Sequence, residues 1–137
     1  MLPIDEKEHK LLANWAADCA EHVLWIFEHH RSADDRPRKA IEAARAWVCG
    51  ELKVSEARIF AFAAHAAARD ANIPEARAAA RSAGHAAATP HVWNHAKHAG
   101  SYAIRASRNP TLEKKWQLGA LPAQLKVMVA SGSRKGL

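Results

Sequence analysis

The chain carries nine histidines in 137 residues, and several recur at helical spacing beside carboxylates and arginines. Asp18 and His22 stand four residues apart, so on a helix they can touch. A carboxylate beside an imidazole sets its tautomer and its basicity. Asp35, Arg36, His65 and His85 supply the other types that acid–base chemistry needs, with the guanidinium holding an anionic substrate. The same six side chains also suit a buried network that links helices rich in alanine. Each member of such a network must be paired, because an unpaired buried polar group costs about 1–3 kcal/mol. The structural network is preferred over catalysis.

A second pattern is His91, His95, His98 and Tyr102, at steps of four, seven and eleven residues. Imidazoles on successive turns point the same way, so His91 and His95 could chelate a divalent metal. His98 lies next on that face, and His65, His85 or Asp18 could complete the set. No HExxH or comparable motif accompanies them, and such spacing arises easily in a chain this rich in histidine. No cofactor is expected, and a metal is the minor alternative. The sequence has no nucleophile elbow, P-loop or glycine-rich dinucleotide turn.

The arginines form a third pattern. Arg77 and Arg81 share a helix face with His85, and Arg45 and Arg58 stand elsewhere. Arginines on solvated faces are ordinary, but with tryptophan they also anchor protein interfaces. Arg45, Arg69, Trp93 and Tyr102 are the candidate binding residues. Trp25 and Trp93 are expected at the surface, and Trp15, Trp47 and Trp116 in the core.

The formal charge is +6. A basic balance permits acidic partners. The positive charges are spread at helical intervals, often beside acids, with neither zinc-finger spacing nor a basic strand interleaved with aromatics, so nucleic acid is not favoured. Cys19 and Cys49 form no CxxC and are expected as buried free thiols. The N-terminal stretch has no apolar segment of a signal peptide, and no run of about 18 apolar residues exists. The expectation is a cytoplasmic protein without a membrane span.

These side chains must be positioned by helices, because no segment alternates with the period of a strand. Leu12, Trp15, Cys19, Val23 and Ile26 make one apolar stripe on a helix from Asp5 to about His30, with Asp5 as its N-cap. A second helix follows Asp34 or Asp35 as cap, has Pro37 in its first turn, and ends near Val48 with Gly50 as C-cap. A third follows Ser55 as N-cap, with Val54 packing back on it as a staple. Its expected buried line is Ile59, Phe62 or Ala63, and Ala66. A fourth starts near Pro74 and is almost all alanine, with Gly84 marking a close helix approach. Pro90 either kinks this helix or begins a new one with Thr89 as cap, and a kink is preferred. The next stretch either continues helically, with His91, His95, His98 and Tyr102 on one face, or is split at Gly100, with a fifth helix over about 96–107. After the turn at Asn109 and Pro110, a last helix is interrupted near 119–122. The expectation is one domain over 1–130, a compact all-α bundle of about five to seven antiparallel helices, with a disordered tail at 131–137. AAHAAAR around His65 and AGHAAAT around His85 form a weak internal echo.

Several phrases together carry a family resemblance: WAADCAEHVL at 15–24, DDRPRKAIEAARAW at 34–47, AFAAHAAARDA at 61–71, ARSAGHAAATPHV at 80–92 and EKKWQLGALPAQL at 113–125. The chain resembles the immunity proteins of bacterial polymorphic toxin systems, in the fifth-type immunity-like family, over nearly its whole length. The pattern DxRPxxAIxxxRxW is its most specific part. The resemblance implies a small helical protein that neutralises a partner toxin by binding it. Separately, a homodimer is an allowed association. Pro90 stands where relatives tend to carry another alanine, and Trp25 where a proline is more usual. Residues 94–98 add polar bulk. These departures imply a changed pocket rim over 91–98. The alternative is a small-molecule-binding or acid–base catalytic helical domain, with or without metal, built on Asp18, His22, Asp35, Arg36, His65 and His85.

Overall fold

Alanine decides how closely the helices of this chain approach one another. The computed structural model describes residues 4–127 and 129. Among the described residues six α-helices are bounded, in order: α1 (Glu6–His30), α2 (Arg36–Val48), α3 (Val54–Asp70), α4 (Pro74–Ala88), α5 (His95–Ala106) and α6 (Pro110–Ala120). A 3-10 turn over Ala123–Leu125 comes after them. Among the described residues there is no strand, and the chain is an all-α bundle. Residues 131–137, expected as a disordered tail, lie outside the described residues. None of the described helices is long and apolar enough to cross a membrane.

Local chemistry sets the helix ends. Asp5 accepts a hydrogen bond from the Glu8 amide at 2.7 Å, and Glu8 accepts one from the Asp5 amide at 3.3 Å, a reciprocal cap on α1. At α2 the side chain that accepts from the Arg36 amide is Asp34, at 3.2 Å, rather than Asp35. The helix closes at Gly50, whose φ of 77° lets the Glu51 amide reach the Ala46 carbonyl at 2.8 Å. Ser55 is not the cap of α3. The helix begins a residue earlier, and Glu56 accepts from the Lys53 amide at 2.9 Å.

Pro90 neither kinks α4 nor opens a new helix. α4 ends at Ala88, the Thr89 hydroxyl donates to the His85 carbonyl at 2.9 Å, and a turn over 89–94 leads to α5. Proline lacks the amide that would continue the ladder, and its ring crowds the carbonyl one turn back.

α4 is the centre of the bundle and packs against α1, α2, α3 and α5. Its buried positions hold only alanine, Ser82 and Gly84. Ser82 donates to the Ala99 carbonyl at 2.7 Å, which satisfies a hydroxyl between α4 and α5. α3 meets its neighbours through Ala57, Ala61, Ala64 and Ala68, all buried. The line expected to be buried instead faces water, with Ile59 66% and Phe62 62% exposed. Methyl groups let the backbones come close, so the small face turned inward and the bulky one outward.

The larger core residues come mainly from α1, with Leu12, Trp15, Val23 and Phe27 buried together with Ile41 of α2 and Leu125. Each such side chain contributes about 1.5–3 kcal/mol, far more than an alanine. Trp15 also donates its indole N–H to the Gln117 carbonyl at 2.9 Å. Three other expectations are corrected. Trp116 is 38% exposed, because it stacks on His22 at the rim. Trp47 is only half-buried, tilted against the His9 ring. Cys19 is buried, but Cys49 is exposed because it is the last residue of the α2 cap.

Candidate functional site

The echo between the third and fourth helices has a structural counterpart. His65 of α3 and His85 of α4 meet edge to face, with ring centroids 5.0 Å apart. α5 adds His95, His98 and Tyr102 on one side, so His85 becomes the hub of a cluster. Its ring stacks on His95 at 5.2 Å and on Tyr102 at 5.4 Å, with only 9° between the His85 and Tyr102 planes. His98 lies 5.2 Å away on the same side. The Nδ1 atoms of His85 and His95 are 2.9 Å apart, so one carries a proton and the other accepts it.

Two arginines rest on this cluster. Arg81 donates to His65 Nδ1 at 2.8 Å. A guanidinium only donates, so His65 Nδ1 is the acceptor and the neutral ring carries its proton on Nε2. The Arg105 guanidinium lies over the Tyr102 ring at 4.9 Å. Gly84 makes the arrangement possible. A Cβ there would stand 2.6 Å from His65 Nε2 and under 3.0 Å from two more ring atoms.

Burial, and then the positive charge of Arg81, hold the His65 pKa down to about 4. Burial, and then the neighbouring histidines, hold His85 down to about 3. His95 and His98 are also lowered, again chiefly by burial. The cluster is therefore a group of neutral imidazoles at neutral pH. It is not the expected ligand set. His91 sits exposed in the turn before α5, and among the described residues no three His, Cys, Asp or Glu side chains stand together as a metal-binding group.

Of the six residues expected to make a catalytic or network group, only His65 and His85 meet. Asp18 pairs with Arg45 at 2.8 Å, and Arg45 also holds Glu21 at 2.5 Å. His22 turns to Glu113, with Nδ1 2.7 Å from Oε1, and stacks on Trp116 at 3.9 Å. Glu113 is only 5% exposed, and Gln117 is its other partner. Asp35 pairs with Lys39 at the surface. Arg36 bridges Asp34 at 2.7 Å and Asp70 at 2.9 Å, tying α2 to the end of α3. Hydrogen bonds from Arg36 hold the Asp34 carboxyl down to about pKa 2. Sequence reasoning missed Glu113 and Asp70 as partners, because 91 and 34 residues separate them from His22 and Arg36. Asp34 was legible only as a cap.

The four candidate binding residues differ as much. Arg45 is already held by two carboxylates. Trp93 was expected at the surface, but it is half-buried and packed on the core. Arg69 is exposed, and Tyr102 is half-buried with Arg105 over it. Trp25 is 50% exposed as expected, with the Arg108 guanidinium 5.2 Å above its ring.

Comparison with curated proteins finds no match, and comparison with solved structures finds none either. The sequence profile of the family described as "Imm-5 like putative immunity protein" matches residues 2–124, and the chain belongs to that family.

Proposed function

We propose that this chain is a non-enzymatic binding domain that neutralises a toxin by occupying it, in the reducing cytoplasm where Cys19 and Cys49 stay thiols. Membership of an immunity family, which implies a protein partner, carries the reading. The dispersal of Asp18, His22, Asp35 and Arg36 into separate ion pairs and contacts supports it, because acid–base chemistry needs its groups within reach of one substrate. The histidine cluster then serves as a packed polar joint between α3, α4 and α5.

The test is to sequence the genes on either side of this one and to co-express the chain with any toxin-domain protein they encode. Rescue of growth and a stable complex on size exclusion are expected. A toxin domain that neither binds nor is neutralised would sink the proposal. So would rescue that proceeds by chemical change of the toxin, seen as a mass shift, without a lasting complex.

A further inference from the structure

Residues 54–108 hold seven Lys or Arg against three Asp or Glu, whereas residues 5–53 hold eight against ten. Of the three acids in the first span, Asp70 is engaged by Arg36. Among the described residues, Arg77, Arg81, Arg105 and Arg108 have no carboxylate partner. Arg77 donates to the Ala68 carbonyl, Arg81 to His65, and Arg105 and Arg108 lie over Tyr102 and Trp25. These side chains border two open depressions of about 380 Å³ each. The first runs between Arg77, Arg81, Tyr102 and Arg105, the second between Arg105, Arg108 and Trp25, and they share Arg105 and Glu75.

We infer that this continuous ledge, from Arg77 and Arg81 past Tyr102 and Arg105 to Trp25 and Arg108, docks a carboxylate-rich surface of a partner protein. The inference rests on the immunity reading for the partner's kind and adds its chemistry and its place of docking. An arginine whose fork is already filled, such as Arg36 or Arg45, gains little from another carboxylate. One that rests on a ring keeps its donors for a bidentate partner. The rings also hold the guanidiniums in place before binding, which lowers the ordering cost of association. The column His95–His85–Tyr102–Arg105 is the support of one such anchor. Exposed Trp25 adds apolar area of the kind that anchors protein interfaces. Glu75 stands where the two depressions join, and a carboxylate there repels a continuous phosphate backbone while leaving room for a discrete pattern of acids.

The experiment measures binding of three probes at low and moderate salt: the toxin domain from the co-expression test, poly-glutamate, and a duplex DNA of random sequence. The proteins are wild type, Arg77→Glu/Arg105→Glu, and Arg38→Glu, at an arginine already paired with Glu28. Circular dichroism melts check that the variants fold. The expected result is that the toxin domain and poly-glutamate bind wild type and the Arg38 variant alike. The double variant should lose more than about tenfold in affinity for both, as reversing charges across a complementary interface does. A toxin domain that binds all three proteins equally places the docking site elsewhere and overturns the inference while sparing the immunity reading. If the toxin domain fails to bind but poly-glutamate still binds in an Arg105-dependent way, the immunity reading falls and the acidic docking face stands. Duplex DNA binding more tightly than poly-glutamate overturns the inference, as does self-association of the wild type through this ledge.

Discussion

Two groups of arginines in one small bundle do opposite work. On the side of α1 and α2, Arg36, Arg38 and Arg45 are each held by carboxylates from another segment. On the side of α4 and α5, among the described residues, Arg77, Arg81, Arg105 and Arg108 pair with a carbonyl, an imidazole or aromatic rings and with no carboxylate. The first group ties segments together. The second leaves its charge available. Net charge alone would have described both groups as the same basic surface, and only the pairing separates them.

The largest expected effect comes from breaking a tie. Arg36→Ala leaves the nearly buried Asp34 without its main donor and frees Asp70, and urea unfolding should show a loss of about 2 kcal/mol. A loss within about 0.5 kcal/mol would mean that the tie between α2 and α3 is ornamental.

Acid should separate the two sides further. The unfolded chain protonates its histidines near pH 6.5, whereas folded His65 and His85 resist until about 4 and 3. Protons therefore bind the unfolded state preferentially in that window, and stability falls as pH drops through it. At pH 5 the loss is about 1 kcal/mol for each ring, after allowing for the part of each that faces water. Asp34 acts in the same direction but in a lower window. Its contribution is complete above its unfolded value of 3.8 and is lost only as pH falls from there toward about 2. Melting temperatures at pH 7 and pH 5 should drop less for a His65→Ala/His85→Leu variant than for the wild type. An equal drop would contradict the neutral-cluster account.

A smaller effect is the coupling between Gly84 and His65. Alanine is about 1 kcal/mol better than glycine inside a helix. In the wild type that gain is offset by the collision with the His65 ring, so Gly84→Ala should be neutral or destabilising. In a His65→Ala background the same change should stabilise by about 1 kcal/mol. Identical effects in both backgrounds would show that the ring moves aside freely. Smallest of all is Arg105→Ala, expected within about 0.5 kcal/mol of wild-type stability in the same urea assay. A loss as large as that of Arg36→Ala would erase the distinction between the two groups.

How much of this was legible depended on side-chain size and on sequence distance. The stripe Leu12, Trp15, Cys19, Val23 and Ile26 is wholly buried, because large apolar residues report a helix face directly. α3 could not be read that way. Its inward face is alanine, which carries almost no directional signal, so Ile59 and Phe62 drew the prediction to the wrong side. At the site, His65 and His85 were visible through their echo, and His95, His98 and Tyr102 through their spacing. His91 dropped out because Pro90 stops the helix before it. The pairs His22 with Glu113 and Arg36 with Asp70 join distant segments, and no local pattern announces such a meeting.

The alanine centre also shapes how such a protein can diverge. Every buried position of α4 already bears a methyl, a serine hydroxymethyl or a hydrogen. Most exchanges there enlarge the side chain, and enlarging a close-packed site costs about 1–3 kcal/mol. Drift within α4 is therefore nearly closed off, while Arg77 and its exposed neighbours on the same helix vary at little cost. A lineage that must keep pace with a changing partner would thus rewrite its rim around an immobile axis.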